Sequence, residues 1–429
     1  MSDINSLLQK RKHLLGTNLP TFYDEPIHIV KGKDVWLWDK KGKKYLDCYN
    51  NVPHVGHCHP TVVEAISKQS STLNTHTRYV HEGILDYVEK LTATFSENIT
   101  TAIMTCTGSE ANDIAMRMAM LITGSKGIIT TNHTYHGNTY LVSQLSQTNI
   151  PPESPLSSIR HIPAPDSYRN IGSKNGNSES EFFAQELEKS ILNLKKSNHG
   201  FSALVLCPFF ANEGFPSLKH GWLNLTEKIV KRYNGLIIAD EVQPGFGRLG
   251  SNMWSHQAVG LSPDIITLGK PMGNGYPVGA VVTSNNIMNA FRNSYRYFNT
   301  FGGNPVACAA SMAVLRVIEE EGLIRNASSV GDYCIQKLKD LSMKYDIIGD
   351  VRGSGLFFGA EMVLDRKTKK PAKKLTKEII NRMRHKGILI SKLGIHDNTL
   401  KIRPPMTFSM QNADLLINKL DEVFKELNY

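Results

Sequence analysis

Six short runs of consecutive apolar residues constrain the fold of this chain more than any other feature: Ala102–Cys106, Gly127–Thr131, Ala203–Pro208, Leu236–Asp240, Ile265–Leu268 and Val278–Thr283. Strands that are apolar at every position, not at every second one, are covered on both faces. Helical spacing recurs between them, in Ala111, Ile114, Ala115, Met118, Leu121 and Ile122, and in Leu225, Ile229, Val230 and Tyr233. The second of these stops at Asn234-Gly235, an ordinary helix ending. Strands alternating with helices predict an α/β domain on a mostly parallel sheet.

At 429 residues the chain has room for more than one domain. Residues 28–48 read as short strands joined by polar turns, a hairpin pattern. Pro151–Ser180, rich in Pro, Ser, Asn and Gly, reads as a long excursion, mobile at Ser173–Ser178. A helix is expected from Pro305 to Glu321, followed by a smaller α+β domain.

Several function classes are set aside by composition. No stretch approaches the roughly 20 apolar residues that span a bilayer, and no apolar segment follows Lys10-Arg11-Lys12, so a cytoplasmic protein without membrane contact is expected. The net charge is +10, but the densest basic run, Arg366–Lys374, holds no aromatic residue to stack on a base, so no nucleic-acid partner is expected. Six scattered cysteines with no CxxC pair read as reduced thiols.

Chemistry collects where the apolar runs end. Lys270 closes one of them and precedes a Gly/Pro-rich turn; a lysine ordinarily snorkels to the surface, but desolvation here would favour a neutral, nucleophilic amine. Asp240 closes another, and ligands collect at the carboxyl ends of such strands. Its carboxylate suits a protonated pyridine nitrogen, with Gln243 placed to donate to a ring oxygen. Gly108 and Ser109, between a strand and a helix, suit a phosphate at the helix start. His133-Thr134-Tyr135-His136-Gly137 offers a flat aromatic for stacking, and Thr300, beside Gly302-Gly303, offers another phosphate hydroxyl.

The ordered segments TGSEAN, TYHG, DEVQPGFGR, LGKPMGNGYP and NTFGGNP resemble the class III aminotransferases, enzymes of fold type I that use pyridoxal 5'-phosphate. The resemblance runs from about Tyr23 to Phe424. It implies a large domain with a mostly parallel central sheet (59–310), a smaller α+β domain (311–429) and an N-terminal segment (1–58) packed with the small one. It also implies that Lys270 carries the cofactor covalently and then shuttles protons, and that Asp240 pairs with the ring nitrogen. Gly108 and Ser109 would bind the phosphate, Tyr135 and His136 flank the ring, and Gln243 lie near its oxygen. Thr300 would reach the phosphate held by a neighbouring subunit, which implies a homodimer. Arg403 resembles the family arginine that grips a substrate carboxylate.

The segments Asp47–Pro60 and Leu73–Tyr79 are similar to the branch with type 2 alanine–glyoxylate aminotransferases and ethanolamine-phosphate phospho-lyases. Their His/Cys cluster is expected near the substrate entrance, without a metal. The expected reaction is transamination between an amine and a 2-oxo acid, with elimination of phosphate from an amino-alcohol phosphate as the alternative. One departure bears on this choice. Where many relatives carry Glu-Pro-Ile-Gln-Gly, this chain has Cys207-Pro208-Phe209-Phe210-Ala211, so the glutamate that pairs with the substrate arginine is missing; Glu213 is the candidate replacement.

Overall fold

The computed structural model describes residues 4–147, 156–171 and 178–428. The apolar runs form one seven-stranded sheet, ordered Thr101–Thr105, Gly279–Thr283, Ile265–Leu268, Leu236–Asp240, Ala203–Leu206, Ile128–Thr131, Ile159–Ile162. Four of its strand pairings are parallel, and only Gly279–Thr283 runs antiparallel to both neighbours. The inner strands Ile128–Thr131, Ala203–Leu206, Ile265–Leu268 and Gly279–Thr283 are buried throughout, as strands with helices on both faces must be. The helix Gly108–Thr123 packs on one face and Glu179–Lys196 with Asn224–Arg232 on the other, each with its own apolar cluster.

Part of the expected excursion is a strand. Ile159–Ile162 pairs in parallel with Ile128–Thr131 at the sheet edge. It is short, flanked by prolines and only buried at its two ends, so its apolar signal is weak. Apart from Ser178, which caps the helix Glu179–Lys196, the Ser173–Ser178 stretch lies outside the described residues.

The N-terminal strands Ile29–Lys33, Trp36–Asp39 and Lys44–Asp47 form an antiparallel set, and the last pairs in parallel with Ile388–Leu389. This pairing ties the start of the chain to its final third. The helix Pro305–Glu320 is continuous across position 310 and packs on Pro60–Thr72 and Glu82–Thr92. A third sheet, Ile348–Ser354, Phe357–Asp365, Thr399–Ile402 and Ser391–Leu393, is antiparallel and backed by helices Leu323–Lys344 and Lys373–His385, on which Met410–Glu426 packs. Among the described residues no helix is long and apolar enough to cross a membrane.

Candidate active site

Five parallel-running strands of the large sheet end at one edge, and the segments beyond them wall a cavity of about 200 Å³. Its lining includes Gly108, Ser109, Tyr135, His136, Cys207, Asp240, Gln243 and Lys270, residues up to 162 positions apart that the sheet brings together. Thr300 lies outside it, lining a separate cavity with Asn74, His76, Tyr276 and Phe301.

Lys270 opens the short turn Lys270–Gly273 directly after its strand. Its side chain is open to the cavity while protein surrounds it, and removal from bulk water lowers its pKa from 10.5; Asp240 opposes that shift and Arg403 adds to it. The neutral amine is therefore more accessible here than on a surface lysine.

Asp240 is buried and held from three sides. One oxygen accepts from the Val242 N–H at 2.9 Å; the other accepts from Asn112 Nδ2 at 3.1 Å and meets His136 Nδ1 at 2.7 Å. Asn112 is itself fixed by the Thr267 hydroxyl. His136 thus spends one ring nitrogen on Asp240 and the other on Thr134 Oγ1, at 2.8 Å. Expected beside a ring, it is bonded directly to the acid; spacing along the chain cannot reveal a pair 104 residues apart. Tyr135, on the same turn, bonds Asn138 through its hydroxyl.

Thr107 caps the helix Gly108–Thr123. It accepts the Glu110 N–H, and Glu110 reaches back to the Thr107 N–H. The first amides of a helix have no partner within it and attract anions. The backbone is tight here. A Cβ on Gly108 would lie 2.8 Å from Val242, and one on Gly137 (φ +145°) would lie 2.5 Å from Ser109 Oγ. Bare backbone at a helix start, a buried acid and a desolvated amine in one pocket are the donor set that a phosphorylated pyridine aldehyde requires, so the residues fit pyridoxal phosphate.

Beyond Gln243 the site is cationic. Lys401, on the strand Thr399–Ile402, and Arg403, just after it, are both buried, at 7% and 4% exposure. Both donate to Gln243 Oε1, Lys401 at 3.2 Å and Arg403 at 2.5 Å, while Gln243 Nε2 donates to Asn212. Gln243, expected near a ring oxygen, has its amide engaged by these cations. Arg403 also donates to the Tyr49 carbonyl, its Nε has no partner, and the rings of Tyr49 and Phe357 stand beside both cations. Burial drives both pKa values down, Lys401 well below 10.5 with Arg403 and Lys270 adding, and Arg403 to about 10. The carboxylate acting on Arg403, Asp47, is already bonded to His57 and to the Tyr49 and Asn50 amides.

Lys401 was not among the residues singled out from sequence. A lysine inside the apolar strand Thr399-Leu400-Lys401-Ile402, two positions before Arg403 and so on its side of the strand, was the available signal. The glutamate position is filled by the buried Cys207 thiol, which acts on Lys401. Glu213 does not replace that glutamate: its carboxyl accepts from Thr131 Oγ1 at 2.5 Å, away from Arg403. The His/Cys cluster is likewise committed, His54 to the Phe246 carbonyl and Arg248, His57 to Asp47, His59 to Glu321.

The aminotransferase class-III family matches residues 21–424. The chain is 39% identical over 416 residues to a Drosophila melanogaster protein named alanine–glyoxylate aminotransferase 2-like (95% of this chain, 84% of that one). It is 38% identical to ethanolamine-phosphate phospho-lyase homolog 1 of Caenorhabditis elegans (98% and 94%). Among solved structures it resembles a phospholyase from Arthrobacter in complex with phosphoethanolamine, at 40% identity and TM-score 0.94, covering 98% of this chain and 99% of that one.

Proposed function

This chain belongs to the class III aminotransferases, fold type I enzymes that use pyridoxal phosphate, and we propose that it releases inorganic phosphate from a small primary amine with a phosphate ester on the neighbouring carbon, as in phosphoethanolamine. The observation that carries this reading is the pair Lys401 and Arg403, two buried cations side by side with no ion-pair partner among the described residues. Burying one unpaired charge costs several kcal/mol, so two together call for an anion to arrive. A phosphate monoester, close to a dianion at neutral pH, matches their combined charge, and charge-assisted hydrogen bonds to it are strong.

The bound cofactor supplies an electron sink for the carbon that carries the amine. Asp240, steadied by His136, Asn112 and the Val242 amide, holds a proton at the ring nitrogen. Gly108 and Ser109 hold the cofactor phosphate. Lys270 Nζ would hold the cofactor, and its free amine would take the proton from the amine-bearing carbon. Lys401 and Arg403 grip the substrate phosphate. As the C–O bond breaks, its electron pair leaves on the phosphate they hold; the unsaturated amine that remains takes up water to give an aldehyde and ammonia, and no 2-oxo acid is consumed.

Transamination is the second reading, because Lys270 and Asp240 serve both reactions and the Arg403 fork also suits a carboxylate. The two separate in one assay. Phosphate release from phosphoethanolamine without any 2-oxo acid supports elimination; turnover that needs a 2-oxo acid and frees no phosphate supports transamination. We also infer a homodimer. Thr300 stands away from the cavity of its own chain and Phe301 beside it is 71% exposed, an arrangement suited to completing the partner's phosphate site.

A further inference from the structure

We propose that Arg248 is a positioning residue for the substrate anion: its guanidinium clamps the Pro404 carbonyl and so fixes the backbone from which Arg403 reaches into the site. The inference rests on the reading that Arg403 grips the anionic group of the substrate, and it holds whether that group is a phosphate or a carboxylate.

Arg403 stands where the sheet no longer holds the chain. The last pairing of its strand is Ile402 with Phe358, and Pro404 and Pro405 follow, neither with an N–H to donate. Among the described residues, two long-range bonds anchor the backbone here. The Arg403 N–H donates to the Cys48 carbonyl at 2.7 Å, and the Pro404 carbonyl accepts from Arg248 Nη1 at 2.6 Å. The next free N–H along the chain, that of Met406, donates to the His54 carbonyl at 2.7 Å.

Arg248 is fully buried, and no carboxylate pairs with it among the described residues. Its bonds go to neutral acceptors: the Pro404 carbonyl, the Leu356 carbonyl at 3.1 Å from the same nitrogen, and His54 Nδ1 at 2.9 Å from Nη2. The planar fork sets these directions relative to one another. The Leu356 N–H returns a bond to the Arg248 carbonyl at 2.9 Å, so the clamp is held at its backbone as well as at its head. One form of His54 fits this arrangement. A guanidinium only donates, so Nδ1 accepts; the Phe246 carbonyl only accepts, so Nε2 carries the proton and donates at 2.7 Å. Burial, with the Arg248 charge adding to it, holds the His54 pKa well below 6.5 and keeps that neutral form. Arg248 and His54 therefore bracket the Pro404-Pro405 step, one through the Pro404 carbonyl and the other through the Met406 N–H. Without the guanidinium, the buried Pro404 carbonyl loses this donor and Arg403 is left with the Cys48 bond. Its head then has no set place beside Lys401 and Gln243.

The test is a double-mutant cycle on borohydride-reduced holoenzyme, whose cofactor is covalently fixed, read as the dissociation constant for inorganic phosphate. Arg248→Met should raise that constant about tenfold or more when Arg403 is present, and less than about twofold in an Arg403→Met background, because Arg248 acts through Arg403. A merely structural Arg248 would lower the folded fraction, which changes the binding amplitude and not the constant, or would weaken binding equally in both backgrounds. Equal effects in the two backgrounds, or no effect in either, would overturn the proposal while leaving the anion site standing. If Arg403→Met alone leaves the constant unchanged, the reading of Arg403 fails and the proposal falls with it. Should Arg248→Met not fold, His54→Leu takes its place in the cycle, since it leaves the guanidinium but removes its Nδ1 acceptor. A rise of about threefold confined to the background that keeps Arg403 is then expected, and its absence counts against the clamp.

Discussion

Lys401 and Arg403 share one acceptor, the side-chain oxygen of Gln243, which lies 3.2 Å from the lysine amine and 2.5 Å from a guanidinium nitrogen. One neutral oxygen is a poor match for two buried charges, and that mismatch shapes the behaviour expected of the protein.

Lys401→Met should make the protein more stable and less active. Replacing an uncompensated buried charge by an apolar side chain of similar shape stabilises by about 1–4 kcal/mol, which denaturant melts of the ligand-free form would measure. Loss of a buried charge-assisted contact to the substrate should cost about 2–5 kcal/mol, at least 30-fold in kcat/KM for the phosphate ester. The stability gain should depend on pH. Because the folded pKa of Lys401 is depressed below 10.5, the unfolded chain binds more protons between the two values, and wild type gains stability as pH rises through that window. Lys401→Met lacks that slope, so its advantage is largest at the low end.

Gln243→Glu should supply the missing charge from within. A carboxylate between Lys401 and Arg403 would raise both pKa values and compete with the substrate phosphate. Inhibition by inorganic phosphate should weaken tenfold or more, while the melting temperature rises.

Phosphate binding should take up protons. The cations have lowered pKa values in the free site, and an arriving dianion raises them, so the complex holds more protons than its parts. Affinity of borohydride-reduced holoenzyme for a phosphonate analogue should fall as pH rises through the lowered pKa values of Lys401 and Arg403. It should also fall below pH of about 6, where a phosphate-type dianion protonates. Calorimetry in buffers of different ionisation enthalpy reads the proton count directly.

Much of this site was legible in sequence because its parts end apolar strands. The runs closing at Asp240 and Ile265–Leu268 agree with the observed strands residue for residue, and Lys270 follows the latter at once. What escaped was pairing across the fold. His136 was placed beside a ring because its partner lies a hundred residues on, Glu213 was aimed at Arg403 when its carboxyl turns to Thr131, and Lys401 sat unnoticed in a strand. The edge strand Ile159–Ile162 escaped because Arg160 and His161 are only half-buried there.

Thr300 should act across the dimer. In heterodimers of Lys270→Ala and Thr300→Ala chains, a threonine serving the partner concentrates both defects in one site and leaves the other intact. About half of wild-type activity should return, a value expected from the geometry of shared sites. A threonine serving its own chain would leave no intact site and no recovery.

Gly137→Ala should weaken cofactor binding. The new Cβ would lie 2.5 Å from Ser109 Oγ at a φ of +145° that side chains avoid. Displacing Ser109 should raise the cofactor dissociation constant by about tenfold or more, consistent with a lost hydrogen bond to a charged group.

The most direct test counts turnovers per cofactor with phosphoethanolamine and no amino acceptor. Elimination predicts many equivalents of inorganic phosphate per site, with the visible spectrum of the cofactor unchanged at the end. A single equivalent of amine consumed, the cofactor converted to its amine form and no phosphate released would contradict the account.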